Sequence, residues 1–143
     1  MDKKISFIGL GAMGGPMATN IIKKGIELFV YDIDENKKNK VVKEGGLDSN
    51  NILDISRDSD IVITMLPATE QVKTVLLGEN GIINNLKKNS LILDMSTISP
   101  KGTDEIAKKC KENELRFIDA PVGRLVSHAI AGESLFMVGC DDE

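Results

Sequence analysis

A chain of 143 residues suffices for one domain that buries most of the surface its unfolded form would expose. With 41% hydrophobic and 28% charged residues it is too apolar for intrinsic disorder, yet no apolar run approaches the roughly 20 residues needed to cross a bilayer. Against 18 basic side chains stand 22 acidic ones, a net charge of -4, so no basic field invites a phosphate backbone and nucleic acid is excluded as a partner.

In chain order, the first apolar run is ISFIG, residues 5–9. Two lysines before it give a superficial likeness to a signal peptide, which Gly9, Gly11, Gly14 and Gly15 break. GPMATNIIKKG (15–25) reads as a helix with Met17, Ala18, Ile21 and Ile22 on one face, Lys23 and Lys24 where the dipole favours cations, and Gly25 as its stop. LFVYD (28–32) is the next strand, and Asp34 and Glu35 read as the solvated start of a helix. IVITML (61–66) and LILDM (91–95) follow. SPKGTDEIAKKCKENE (99–114) is a helix with Ser99 as N-cap, Pro100 at its first position and Cys110 as a buried or half-buried thiol. FIDAPV (117–122) and LFMVG (135–139) complete the strands; His128 between them reads as a helix residue without catalytic work, and Asp141, Asp142 and Glu143 as the start of a further helix.

All six runs are continuous instead of alternating, as for strands covered on both faces. Strand and helix alternating without long gaps means parallel strands joined by right-handed crossovers. The expected fold is therefore α/β: an open, doubly wound, mainly parallel sheet with helices on both faces. Residues 1–143 form a single domain, and the lack of a helix covering the last strand leads us to expect a longer protein. Cys110 and Cys140 have no metal-ligand spacing and the chain has a single histidine, so no metal is expected; the cysteines read as reduced thiols of a cytoplasmic protein.

The segment GLGAMG sets Gly9, Gly11 and Gly14 in G-x-G-x-x-G spacing between a strand and a helix, and Asp32 ends the next strand. That context is the dinucleotide-binding fingerprint of a Rossmann domain. Gly9 permits the tight turn, Gly11 the close approach of a pyrophosphate, and Gly14 the packing of helix on strand. Leu10, Ala12 and Met13 complete the loop, the last two with amides nearest the phosphates. Asp32 accepts from ribose hydroxyls and would repel a 2′-phosphate, which favours NAD over NADP.

FIGLGAMGGPMATNIIKKG, MLPATEQVKTVLLGENGII, DMSTISP and DAPVGRLVSHAIAG together resemble the N-terminal domain of the β-hydroxyacid dehydrogenases, the family of 3-hydroxyisobutyrate dehydrogenase. The resemblance spans essentially the whole chain. It implies NAD(P)-dependent interconversion of a small anionic 3-hydroxy acid and its semialdehyde, with Met65, Leu66 and Pro67 passing the cofactor and Ser96 and Thr97 near the nicotinamide ribose and ring. Read without the family, Pro67 is a strand stop and Ser99 a helix cap. Where the family usually has D-A-P-V-S-G-G, this chain has Gly123, Arg124 and Leu125. The departure puts the usual carboxylate contacts in doubt and offers a planar guanidinium in their place. The variant is similar to that of sulfolactaldehyde reductases, so Ser96, Gly123 and Arg124 are expected to bind the substrate, Arg124 gripping its sulfonate or carboxylate. Succinic, tartronate and 3-hydroxyisobutyrate-type substrates remain alternatives.

The family's proton-donating lysine has no match here, so no catalytic residue is expected in this chain. The resemblance places that lysine, an all-helical domain and a homo-oligomer beyond Glu143. Two other readings remain open: a methyltransferase, which shares the glycine-rich turn and the acid, and a stand-alone NAD-sensing module without chemistry.

Overall fold

The computed structural model describes residues 3–139. The readings of Cys140, Asp141, Asp142 and Glu143 lie outside the described residues. Strand β1 (Ile5–Ile8) leads through the glycine turn into helix α1 (Gly14–Lys23), then β2 (Leu28–Tyr31), α2 (Glu35–Lys43), β3 (Leu47–Asp48), the short α3 (Ile52–Ser56) and β4 (Ile61–Thr64). Helix α4 (Thr69–Leu77), a 3-10 turn (Ile82–Asn85), β5 (Leu91–Asp94), α5 (Pro100–Glu112) and β6 (Arg116–Asp119) follow. Six strands form one parallel sheet in the order β3-β2-β1-β4-β5-β6. The order reverses at β1, which places β1 and β4 side by side at the centre with their carboxyl ends pointing the same way. This is the doubly wound fold the sequence implies.

Two cores lie on the two faces of the sheet. One gathers Ile8, Ile55, Val62, Val72, Leu76, Ile92, Ile106 and Cys110 under α4 and α5; the other gathers Phe7, Leu10, Met17, Ala18, Leu28, Val30 and Ile63 under α1 and α2. Met17 and Ala18 are buried, with Ile21 and Ile22 packed at the edge, so the expected face of α1 is the one that faces inward. Burial pushes the Cys110 thiol up to about 12, which leaves it a small apolar core group without thiolate character.

The helix ends follow ordinary capping chemistry. Asp34 accepts from the N–H groups of Asn36 (2.9 Å) and Lys37 (3.4 Å), and Ser99 Oγ from that of Gly102 (3.1 Å), with Pro100 in the first turn. Gly25, at φ 80°, turns the chain out of α1. Sheet edge β3 has no apolar run to announce it. It is two residues long and is tied to α2 by the buried Lys38, whose Nζ meets Asp48 (2.9 Å), Glu35 (3.1 Å) and the carbonyl of Ser49 (3.3 Å).

The two last runs depart from expectation. FIDAPV is not one strand: β6 ends at Asp119, Pro121 has no N–H to continue a ladder, and β7 (Val122–Gly123) leaves the main sheet. Helix α6 (Val126–Ala131) follows, and β8 (Leu135–Phe136) returns antiparallel to β7 in a separate two-stranded ribbon. LFMVG is thus neither parallel nor covered: Leu135 is 51%, Met137 59% and Val138 63% exposed. Continuity of the run had suggested burial on both faces, whereas here its apolar side chains are exposed, as are Leu125 and Ile130. Asn20 on α1 fastens α6 to the body, its Nδ2 donating to the carbonyl of Ala129 at 2.7 Å and that of Ile130 at 3.4 Å.

Ile92 is fully buried on an interior strand. Truncation by Ile92→Ala is expected to lower unfolding free energy by about 2–5 kcal/mol, read as a reduced urea midpoint at unchanged slope.

Candidate functional site

A crevice of about 810 Å³ opens outside the carboxyl ends of β1, β2 and β4, walled on its far side by α4. Its first wall is the turn after β1. Gly9 sits at φ 98°, and a Cβ there would lie 2.2 Å from the carbonyl oxygen of Met65. One on Gly14 would lie 1.9 Å from the carbonyl oxygen of Gly9. These two glycines are therefore required by packing alone. Gly11 differs: a Cβ on it would meet nothing within 4 Å. Only a group coming from outside the chain gives that position a reason to lack a side chain.

Among the described residues, the N–H groups of Gly11, Ala12 and Met13 meet no protein acceptor. The first turn of α1 has no acidic residue, and Met13, at its N-cap, offers no side-chain cap. An open cradle, free amides and an unopposed positive dipole end face the crevice together. The anionic diphosphate of a pyridine dinucleotide fits the chemistry of this arrangement.

Asp32 is held firmly. Its Oδ2 accepts from the N–H of Leu10 at 2.7 Å and its Oδ1 from that of Asp34 at 2.8 Å. Each oxygen keeps a lone pair for a further donor, so the carboxylate both anchors the glycine turn and presents acceptors to the crevice. Beside it Ile33 is 91% exposed, an apolar surface flush with the crevice wall.

Nine of the expected residues line this one crevice: Gly9, Gly11, Ala12, Met13, Gly14, Asp32, Met65, Leu66 and Pro67. Leu10 does not; its side chain is buried in the core and its N–H is engaged by Asp32. Ser96, Thr97, Gly123 and Arg124 stand outside the lining, farther along the same edge of the sheet. Ser96 is fully buried, its Oγ accepting from the N–H of Leu66 at 2.9 Å, so it shapes the loop after β4 and presents no group to solvent. Thr97 and Arg124 are exposed. Sequence reasoning missed Ile33 and the face of α4 carrying Gln71, Thr74 and Val75. The apolar residue between two acids in DIDE was a usable signal for the first; nothing local distinguishes the second.

Arg124 has φ 71°, in the left-handed region that favours glycine. Its Nη1 donates to the carbonyl of Glu133 at 3.2 Å, across the α6 excursion. His128 is part of α6, half-buried, with Nδ1 accepting from the N–H of Leu125 at 3.4 Å.

With this geometry in view, comparison with known proteins is direct. Residues 4–143 match the family described as the NAD binding domain of 6-phosphogluconate dehydrogenase. The chain belongs to that family. It is 39% identical over 142 residues to a probable mitochondrial 3-hydroxyisobutyrate dehydrogenase of Dictyostelium discoideum, covering 99% of this chain and 44% of that protein. It is 38% identical over 135 residues to the 3-sulfolactaldehyde reductase of Escherichia coli K12, covering 94% and 45%. The solved 3-hydroxyisobutyrate dehydrogenase of Mycobacterium tuberculosis, with L-serine, superposes with a TM-score of 0.93 at 30% identity, over 99% of this chain and 48% of that one. The chain thus spans less than half the length of each of these proteins. Membership in an NAD-binding family sets the methyltransferase reading aside.

Gly14→Ala is expected to destabilise the fold by roughly 1–3 kcal/mol or more through overpacking against Gly9. Gly11→Ala should leave the melting temperature nearly unchanged; thermal melts of the two variants side by side check the contrast.

Proposed function

We propose that this chain is the cofactor-binding part of an NAD-dependent oxidoreductase that interconverts a small anionic 3-hydroxy acid and its semialdehyde. The observation carrying this reading is the pairing of an open amide cradle at Gly11, Ala12 and Met13 with a fixed carboxylate at Asp32. When bound, the nicotinamide supplies or accepts the hydride. Ala12 and Met13 would hold the diphosphate through their N–H groups, and Asp32 the adenosine ribose. Met65, Leu66 and Pro67 would fix the dinucleotide from the β4 side, and Thr97 its nicotinamide end.

The choice of NAD over NADP rests on charge. Asp32 lines the crevice, and the cation in that lining, Lys37, stands 3.7 Å from Asp34 Oδ2 and is partly neutralised by it. A 2′-phosphate beside Asp32 would meet like charge at short range.

For the substrate, our reading is a carboxylate or sulfonate gripped by Arg124, with Gly123 beneath it and Ser96 shaping the adjoining loop. The backbone supports a functional role. A left-handed arginine costs about 1–2 kcal/mol relative to an ordinary conformation, at a position where the family pattern has glycine. Strain of this kind clusters at sites where a side chain has a task. A sulfonate presents three oxygens to a planar fork, which makes sulfolactaldehyde-type substrates the favoured class; succinic, tartronate and 3-hydroxyisobutyrate-type semialdehydes are the alternatives. The proton donor would be the lysine implied by the family resemblance, in the part of the relatives that this chain does not span. The same part would supply a helical domain over the apolar surface of Leu125, Ile130, Leu135, Met137 and Val138, and the homo-oligomer. No helix of the described residues is long and apolar enough to cross a membrane. With Cys110 a free thiol, we read the enzyme as cytoplasmic.

Isothermal titration should show NAD or NADH binding the folded chain. Asp32→Ala should weaken that binding about 10- to 100-fold, the loss of a charge-assisted contact worth roughly 1.5–3 kcal/mol. Absence of heat with either cofactor form, or equal affinity for NADP, would overturn the respective claims. In the longer enzyme, Arg124→Ala should raise KM for the anionic substrate by about tenfold or more, a charge-assisted bidentate contact being lost, while NAD affinity stays nearly constant. An unaltered KM would remove Arg124 from the substrate site.

A further inference from the structure

The carboxyl ends of β5 and β6 set two acids side by side. Asp94 and Asp119 are register partners in the parallel ladder, and partners in neighbouring strands project from the same face of a sheet. Asp94 is fully buried. Its Oδ1 accepts from Thr64 Oγ1 at 2.8 Å and from the N–H of Ser96 at 3.1 Å. Its Oδ2 is sealed from solvent and has no hydrogen-bond partner. Among the described residues neither acid takes part in an ion pair.

Ionised, Asp94 would carry a full charge with one bare oxygen, no cation to answer it and a second carboxylate alongside. Protein interiors do not tolerate that arrangement. A proton on Oδ2 removes the charge from the sealed oxygen. The groups facing Asp94 are the Thr64 hydroxyl from β4, Ser96 from the turn after β5 and the Asp119 carboxyl from β6, and of these only Asp119 can bear the charge. Burial holds the Asp94 carboxyl above the usual carboxylate range against the downward pull of its hydrogen bonds from Ser96 and Thr64, the charge of Asp119 adding to the rise, and Asp119 is itself raised by burial.

We propose that Asp94 stands at neutral pH as an uncharged carboxylic acid, its proton on Oδ2 and the single charge of the pair on Asp119, and that in this form it positions the two loops at the lip of the crevice. Its Oδ1 fixes the N–H of Ser96, and Ser96 Oγ in turn takes the N–H of Leu66. Thr64, held by the same oxygen, is the last residue before Met65. One neutral carboxyl thereby sets the ends of β4 and β5 relative to one another, and with them the Met65 to Pro67 segment that lines the crevice. Asp94 touches no part of the crevice itself; it acts through Ser96.

The test is a carbon-13 carboxyl titration of the 143-residue chain by NMR, with the amide shifts of Leu66 and Ser96 followed in parallel. The Asp94 carboxyl should remain protonated through neutral pH, and the two amides should titrate with its midpoint. Asp94→Asn, whose Nδ2 replaces the O–H, should melt at or above the wild-type temperature at neutral pH and abolish the titration of the Leu66 amide. The sign follows from linkage. The folded carboxyl binds its proton more tightly than the unfolded one, so wild-type stability relative to Asp94→Asn falls as pH rises from about 4 to the folded midpoint, and is level above it. A carboxyl that loses its proton below neutral pH overturns the proposal whether or not the variant folds, as does a Leu66 amide indifferent to it. None of these readouts uses NAD, so the result stands apart from the fate of the dinucleotide reading.

Discussion

Three stretches of backbone meet at the end of β1 with no room for a side chain between them. The carbonyl of Gly9 lies under Gly14, and the carbonyl of Met65 lies against Gly9. This contact fixes how closely α1 approaches the sheet and where its free N–H groups point. It also holds the turn after β1 against the loop after β4, both of which line the crevice. The features that suit the crevice to an anionic ligand follow from that crowding: the open space over Gly11, the unopposed dipole end of α1, and the reach of Asp32 back to the N–H of Leu10.

Polar groups at the strand ends extend the same order outward. Asp32 ties β2 to the first turn, and Asp94 ties β5 to β4, each through bonds to backbone or hydroxyl donors. Their surroundings differ in one respect that decides their chemistry. Asp32 is half exposed, with both oxygens engaged by N–H groups and lone pairs left for a ligand. Asp94 is sealed, with one oxygen unmatched. The same side chain at the carboxyl ends of two separate strands, β2 and β5, thus faces the crevice in one case and serves the frame in the other.

How much of this was legible in the sequence varies with how local the signal is. The five longer parallel strands, α1, α5 and the glycine turn follow from apolar runs, capping residues and fixed spacing, each readable within a dozen residues. Strand β3 was not, because two residues held by Phe29 and Val30 on the neighbouring strand carry no pattern of their own. Run 135–139 misled for a different reason: a string of apolar residues says that water is to be avoided, not which surface does the covering. Among site residues, Gly9 and Gly14 could be assigned from motif alone, whereas the burial of Ser96 depends on Leu66, thirty positions away, which no spacing rule encodes. The left-handed backbone of Arg124 was likewise invisible, although its place in a pattern that elsewhere reads glycine was the clue.

Asn20 sits on the helix whose first turn faces the crevice, and its amide grips the last turn of α6, beyond the arginine-bearing bend. That single side chain works as a strut between two parts of the molecule that are 109 positions apart in the chain. The placing of α6, and with it the path of the chain on leaving the Arg124 turn, is thereby referred to α1 and not only to the sheet.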